Sequence, residues 1–229
     1  MSERFLGKIY ERRWNSGGAS PAEVNRNRAW ECLVKYKFQG MLGDACTVLD
    51  LGCGPGDFIN RISAQKKLAV DLDSNNAKSL KSDIHFYNTS SENLVDIKEE
   101  TVDVVFSSNL FEHLSSTDSL FDTLSEVKRV LRSSPNSCLI VMMPNARKIG
   151  MKFYDFIDHK LPLTETSLAE AIEISGFEIV EFAPGFFPYS AAKTGFKVPM
   201  FVFKLYLKIP IKNRPAAGQM LCVAKPAVI

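Results

Sequence analysis

The side chains in this 229-residue sequence that could do chemistry fall into three groups. Histidine, the residue poised to move protons near neutral pH, occurs only at His85, His113 and His159. A glycine-rich turn, Gly52-Cys53-Gly54-Pro55-Gly56-Asp57, lies between two carboxylates, Asp50 and Asp71. Glycines bend the backbone tightly and leave no Cβ between chain and ligand, and a following helical pattern offers unpaired N–H groups. Asp71, 19 residues after Gly52, has a carboxylate that could accept both hydroxyls of a ribose. The five cysteines, Cys32, Cys46, Cys53, Cys138 and Cys222, show no C-x-x-C spacing, so they read as free thiols in a reducing compartment.

The histidines differ in placement. His85 opens the strand-like run IHFYNT and reads as structural. His113 follows another apolar run in Asn109-Leu110-Phe111-Glu112-His113, where it serves either as a general base or as a cap on the next helix. His159 lies in DFIDHKLPLTETS, a loop expected to overhang the same crevice. Along the sequence there is no compact His/Asp/Glu set with ligand spacing, so no metal is expected.

The elements that must position these groups alternate. Strand-like runs at TVLDLG (47–52), LAVDL (68–72), IHFYNT (84–89), TVDVVFSS (101–108), CLIVMMP (138–144), FEIVEFA (177–183) and MLCVAKP (220–226) are separated by turn or helix patterns. Helix patterns include residues 21–38, with Ser20 as N-cap and Pro21 at the first position, and a short one carrying Phe58, Ile59 and Ile62. Leu120, Leu124, Val127 and Leu131 mark another face, and a helix runs from about Thr166 to Gly176. Apolar strands alternating with helices imply a doubly wound α/β sheet, mostly parallel and covered on both faces. In such sheets ligands sit beyond the carboxyl ends of the strands, where the strand order reverses.

The glycine turn is selective about its ligand. Dinucleotide fingerprints place glycine where Asp57 stands, and that carboxylate beside a pyrophosphate would repel it. No G-x-x-x-x-G-K-[ST] occurs either, which excludes the phosphate loop of nucleotide triphosphatases. VLDLGCGPGDF (48–58) instead resembles the first motif of the class I S-adenosylmethionine-dependent methyltransferases, whose acidic residue two before the first glycine is matched by Asp50. The resemblance runs from about residue 45 to 183 through AVDLD (69–73), FYNTSSENL (86–94), VDVVFSSNLFEHL (102–114) and residues 126–145. It implies a Rossmann-like seven-stranded sheet whose antiparallel last strand is inserted between strands five and six. It also implies S-adenosylmethionine as cofactor, S-adenosylhomocysteine as product, and cofactor contacts at Asp50, Gly52, Cys53, Gly54, Gly56, Asp71, Leu72, Asn88, Thr89, Ser108 and Asn109. Asn88 departs from the acidic residue expected beside the adenine, though an amide can still bond the adenine amino group.

The expected activity is methyl transfer, O-methylation first, to a small-molecule, glycan or lipid-linked acceptor, with His113 or His159 as base. The rival reading is an S-adenosylmethionine-binding interaction or sensor module without catalysis. One domain is expected over residues 1–229, with a helical cap over 1–40, in which Tyr10 and Trp14 are minor candidates for covering the cofactor. An insert over 184–215 is long for a connection between strands. No Asp or Glu follows Glu181, whereas seven Lys or Arg residues do. The preceding 181 residues carry 21 basic and all 26 acidic groups, so the tail is a separate electrostatic object. Its basic and bulky apolar residues over 197–214 suit a lid, a dimer contact, a buried helix or a peripheral contact with anionic lipid. Nucleic acid is not expected, because the main body is net acidic. The charged N-terminus lacks the apolar core of a signal peptide, and the expected address is the cytoplasm, with the inner face of a membrane as a second site.

Overall fold

The computed structural model describes Lys8 and residues 20–43, 47–189 and 195–227; Tyr10, Trp14, Cys46 and Lys193 lie outside them. Seven strands form one sheet: β1 (Thr47–Leu51), β2 (Lys66–Asp71), β3 (Ile84–Asn88), β4 (Val104–Ser108), β5 (Cys138–Pro144), β6 (Phe177–Phe187) and β7 (Gln219–Pro226). Their order is β3-β2-β1-β4-β5-β7-β6, with β7 antiparallel to both neighbours and the other pairings parallel. The order reverses between β1 and β4, so the carboxyl ends of these strands border the crevice where such sheets take ligands. This is the Rossmann-like seven-stranded arrangement expected from the sequence.

The period of two along each strand separates two cores. Leu49, Leu51, Val105, Leu139 and Val141 pack on one face with α3 (Thr117–Val130) and α5 (Glu165–Ile174). Val48, Val104, Phe106, Ile140 and Met142 pack on the other with α1 (Pro21–Leu33), a π-helical turn at Val34–Phe38, and α2 (Gln39–Leu42). Each large side chain fully buried there contributes about 1.5–3 kcal/mol. On this second face Phe58 stacks on Phe106 at 3.7 Å, and Phe38 meets Phe106 edge-on at 4.9 Å. α1 begins as the sequence indicates, with Ser20 Oγ accepting from the Glu23 amide and Pro21 in the first turn.

The first crossovers are leaner than the sequence suggests. The helical pattern around Phe58, Ile59 and Ile62 forms consecutive turns, because Gly54, Pro55 and Gly56 occupy the positions where a helix would nucleate. Between β3 and β4 the chain has no helix at all. Its loop is tied to α3 instead: Arg129 donates to the carbonyls of Leu94 and Ile97, and Glu126 accepts from the Leu94 amide. Leu94 and Ile97 are thereby buried. After β5 come a short α4 (Ala146–Ile149) and a tight 3-10 turn (Gly150–Asp155), and between β6 and β7 lies α6 (Met200–Lys208).

Candidate active site

The glycine turn hangs from the neighbouring strand: the amides of Gly52 and Cys53 both donate to Val70 O, at 2.9 and 3.0 Å. Gly52, Gly54 and Gly56 all have positive φ, from 50 to 81°, a region L side chains rarely enter. They are not equivalent. A Cβ on Gly56 would meet Asn60 and Leu80 at 2.5 Å, and one on Gly52 would press on Leu110 at 3.0 Å. A Cβ on Gly54 would meet nothing within 4 Å, so this glycine keeps an open approach to the backbone. Its amide donates to Asp71 Oδ2 at 2.8 Å, while Asp71 Oδ1 accepts from the Asp73 amide at 2.8 Å. Asp71 thus ties the two loops together, with the Asn76 side chain as a further partner, and its remaining acceptor capacity suits a ribose hydroxyl.

Asp50, 3% exposed near the carboxyl end of β1, carries the larger electrostatic tension. Burial drives its carboxyl well above the usual range, partly opposed by the Ile59 amide and reinforced by Asp71 and Asp57. Its Oδ2 is buried without a hydrogen-bond partner. Asp57, expected from the sequence to repel phosphate, is instead paired with Arg26 and Arg61, each at 3.3 Å. The charge preference of the turn therefore rests on Asp50 and Asp71, which favour a ligand carrying positive charge such as a sulfonium or an α-ammonium group. The site therefore fits the cofactor that the resemblance implies.

The remaining cofactor candidates have distinct roles. Cys53 is buried, its backbone amide is spent on Val70, its thiol contacts Gly54 O at 3.4 Å, and burial raises its pKa. Leu72 is 48% exposed beside Asp71 and offers an apolar surface. Asn88 donates its amide to the carbonyls of Asp71 and Leu72, both at 3.0 Å, which leaves Oδ1 as an acceptor for an exocyclic amino group. Thr89 is turned inward, its hydroxyl donating to Asn93 O at 2.8 Å. Ser108 Oγ accepts from Asn109 Nδ2. Asn109 itself is held at φ 53°, and its Oδ1 accepts from Gln219 Nε2 at 3.4 Å. Gln219, from the far strand β7, is a site-edge residue that sequence order hides.

The two histidines treated separately in the sequence share one cluster. Leu110, in contact with Gly52, leads into the 3-10 turn Phe111–His113, whose last amide donates to Leu110 O. The loop after α4 is clasped onto this turn, because the amides of Lys160 and Leu161 both donate to Glu112 O. The rings of His113 and His159 meet edge-on with centroids 4.9 Å apart, and Phe153 and Phe156 pack against His159. His113 Nδ1 lies 3.1 Å from Asp158 O and 3.4 Å from Asp158 Oδ2. Both partners are acceptors, so Nδ1 carries a proton directed at Asp158. Asp158, 2% exposed, and Glu112, 1% exposed, join the candidate site without having been singled out in the sequence. Both adjoin a candidate histidine, but adjacency alone shows no burial. Burial raises the Glu112 carboxyl to about 8, with Asp158 adding to the effect. Folding also gathers the Glu112, His113 and His159 ligand atoms within 4.8 Å of one another, a metal-competent grouping that linear spacing does not reveal. His85 sits exposed on the edge strand against Tyr87, apart from this cluster.

Comparison with known proteins agrees with this geometry. Residues 49–135 match the family model described as a methyltransferase domain, spanning both Asp50 and the Glu112-His113 pair. No curated protein sequence matches the chain. An S-adenosylmethionine-dependent methyltransferase from Archaeoglobus fulgidus superposes with a TM-score of 0.64 at 21% identity, covering 98% of this chain and 100% of that one. One from Thermotoga maritima gives 0.65 at 17% identity, covering 98% and 97%. A geranyl diphosphate methyltransferase in complex with its methyl donor gives 0.62 at 14% identity, covering 93% and 92%. At these identities the likeness establishes the fold. Residues 49–135 thus resemble a methyltransferase domain, and the glycine turn suits the S-adenosylmethionine that this resemblance implies.

Proposed function

We propose that this chain transfers a methyl group to a hydroxyl oxygen of a small-molecule, glycan or lipid-linked acceptor, with His113 as general base. The observation that carries this reading is the oriented imidazole: Asp158 holds Nδ1 and fixes the ring beside the turn that leads from Gly52. S-adenosylmethionine supplies a methyl carbon already activated by positive sulfur. The protein's task is then to align acceptor and donor, exclude water and take the hydroxyl proton as the oxygen attacks. Asp71 and the Gly54 amide fix one end of that geometry. Burial holds the Asp50 carboxyl high, so a cationic donor bound beside it would favour its ionised form. His113 Nε2 receives the proton, and the resulting imidazolium is stabilised by Asp158 on the opposite side of the ring. His159, packed between Phe153 and Phe156, forms a largely apolar wall that limits competing water.

The test is transfer of radiolabelled methyl from S-adenosylmethionine across phenolic, sugar and prenylated hydroxyl acceptors. A hydroxyl acceptor turned over by the native chain and lost in His113→Ala supports the reading. Transfer confined to amines, or unaffected by His113→Ala and His159→Ala alike, overturns it.

A further inference from the structure

α6 is anchored on one side and bare on the other. Phe203 is buried against Phe187, with centroids 6.2 Å apart, and Tyr206 meets the same ring edge-on at 5.6 Å. Arg214 staples the end of the helix, donating to the carbonyls of Leu207, Ile209 and Phe186. Asn25 of α1 clamps the approach to it, donating to Phe196 O and accepting from the Val198 amide. A helix fixed this firmly holds its outer face in one orientation. That face carries Phe201 at 61%, Leu205 at 56% and Val202 at 41% exposure, flanked by exposed Lys204 and Lys208.

Two features decide what covers it. The first is charge. Two of the basic residues of the tail are turned to structural use, Arg214 as described and Lys225 on Pro135 O, but Lys197, Lys204, Lys208 and Lys212 remain on the surface. No acidic residue occurs after Glu181 to offset them, and Glu181 itself is paired with Lys37 at 2.7 Å. Glu31 of α1 and Lys35 lie nearby, and Lys204 rests over the Tyr36 ring at 5.0 Å. A second copy of the chain packed symmetrically on this face would set lysine against lysine, which the exposed apolar area must then overcome. An anionic lipid surface meets both the lysines and the apolar side chains. The second feature is place. β6 runs parallel to β5, so its carboxyl end at Phe187 leads the insert to the ligand edge of the sheet. There Phe187 pairs with Gln219, whose side chain reaches Asn109.

We propose that the outer face of α6 docks this protein onto an anionic bilayer, bringing the acceptor crevice to the membrane surface. Among the described residues no helix is long and apolar enough to cross a membrane, so the contact is peripheral. That the acceptor is drawn from the bilayer rests on the methyl-transfer reading; the docking does not, and its test is independent of turnover.

The experiment is flotation of the full chain with vesicles of phosphatidylcholine alone and of phosphatidylcholine mixed with phosphatidylglycerol. The native chain is expected to float with the anionic vesicles and to be released by salt. Phe201→Ser/Leu205→Ser and Lys204→Glu/Lys208→Glu are each expected to weaken that partition at least about 10-fold. Calorimetry with S-adenosylhomocysteine serves as the control, since both double variants keep a native cofactor site. No flotation, equal flotation with neutral vesicles, or double variants that float like the native chain overturn the proposal. So does a native dimer, seen by sedimentation velocity, that Phe201→Ser/Leu205→Ser converts to monomer.

Discussion

The two halves of the site are built by different means. Around Gly54 the working groups are mostly backbone, set by three positive-φ glycines and by a carboxylate that accepts two amides. Around His113 they are side chains from segments 45 residues apart in sequence, held together by a loop folded onto a single turn. A backbone site constrains residue type at fixed spacing, so it can be read from the sequence. A side-chain site depends on which loops meet, and spacing does not reveal that. The first half should therefore respond to substitution in cofactor affinity, and the second in turnover.

The sharpest way to break that division is His113→Ala. Turnover should fall roughly 10²- to 10⁴-fold, the usual contribution of a general base, with S-adenosylhomocysteine affinity unchanged. Equal losses in both would merge the halves into one unit. Next in size is Gly54→Leu. The native position has open space but a φ of 50°, so the side chain fills the cofactor approach and adds about 1–2 kcal/mol of backbone strain. Affinity should fall on the order of 100-fold by calorimetry, about 2.7 kcal/mol, while circular dichroism still shows a folded chain. Asp71→Asn is milder. An amide oxygen can replace only one of the two carboxylate acceptors, so one loop amide loses its partner and affinity falls about 10-fold.

A further effect, read in stability and not in affinity or turnover, sharpens the second half. The native Glu112 carboxyl titrates near 8, whereas an unburied one does so near 4.5, so the folded chain keeps a proton that the unfolded chain has released. Native stability therefore declines as pH rises through that window, at roughly 1.4 kcal/mol per unit from this group. Glu112→Gln removes that slope. Between about pH 5 and pH 8 its melting temperature should fall less than that of the native chain; parallel curves would show that Glu112 ionises freely in the fold.

Much of this was legible in advance because it is local. The glycine turn, Asp71, the seven strands and the cap at Ser20 follow from residue type and periodicity, Asp50 follows from the motif resemblance, and the structure places the strands and the cap accordingly. The crossover after β1 departs from its helical pattern because Gly54, Pro55 and Gly56 override the apolar spacing of Phe58, Ile59 and Ile62. Asp158 and Gln219 were hidden for a different reason. One is an acid inside a charged loop and the other a polar residue opening a distant strand, and only tertiary pairing gives either a role. In the insert, the prolines at 199 and 210 frame a helix as their spacing suggests. The split between Phe203 inside and Phe201 outside needed the fold.

The account stands or falls on the glycine turn as the seat of a cationic, phosphate-free adenosyl ligand. Titration calorimetry of the native chain with S-adenosylmethionine, with NADH as competitor, tests this most directly. One saturable site per chain, indifferent to NADH and lost in Gly54→Leu, is the predicted result. Absence of binding, or displacement by NADH, would contradict it.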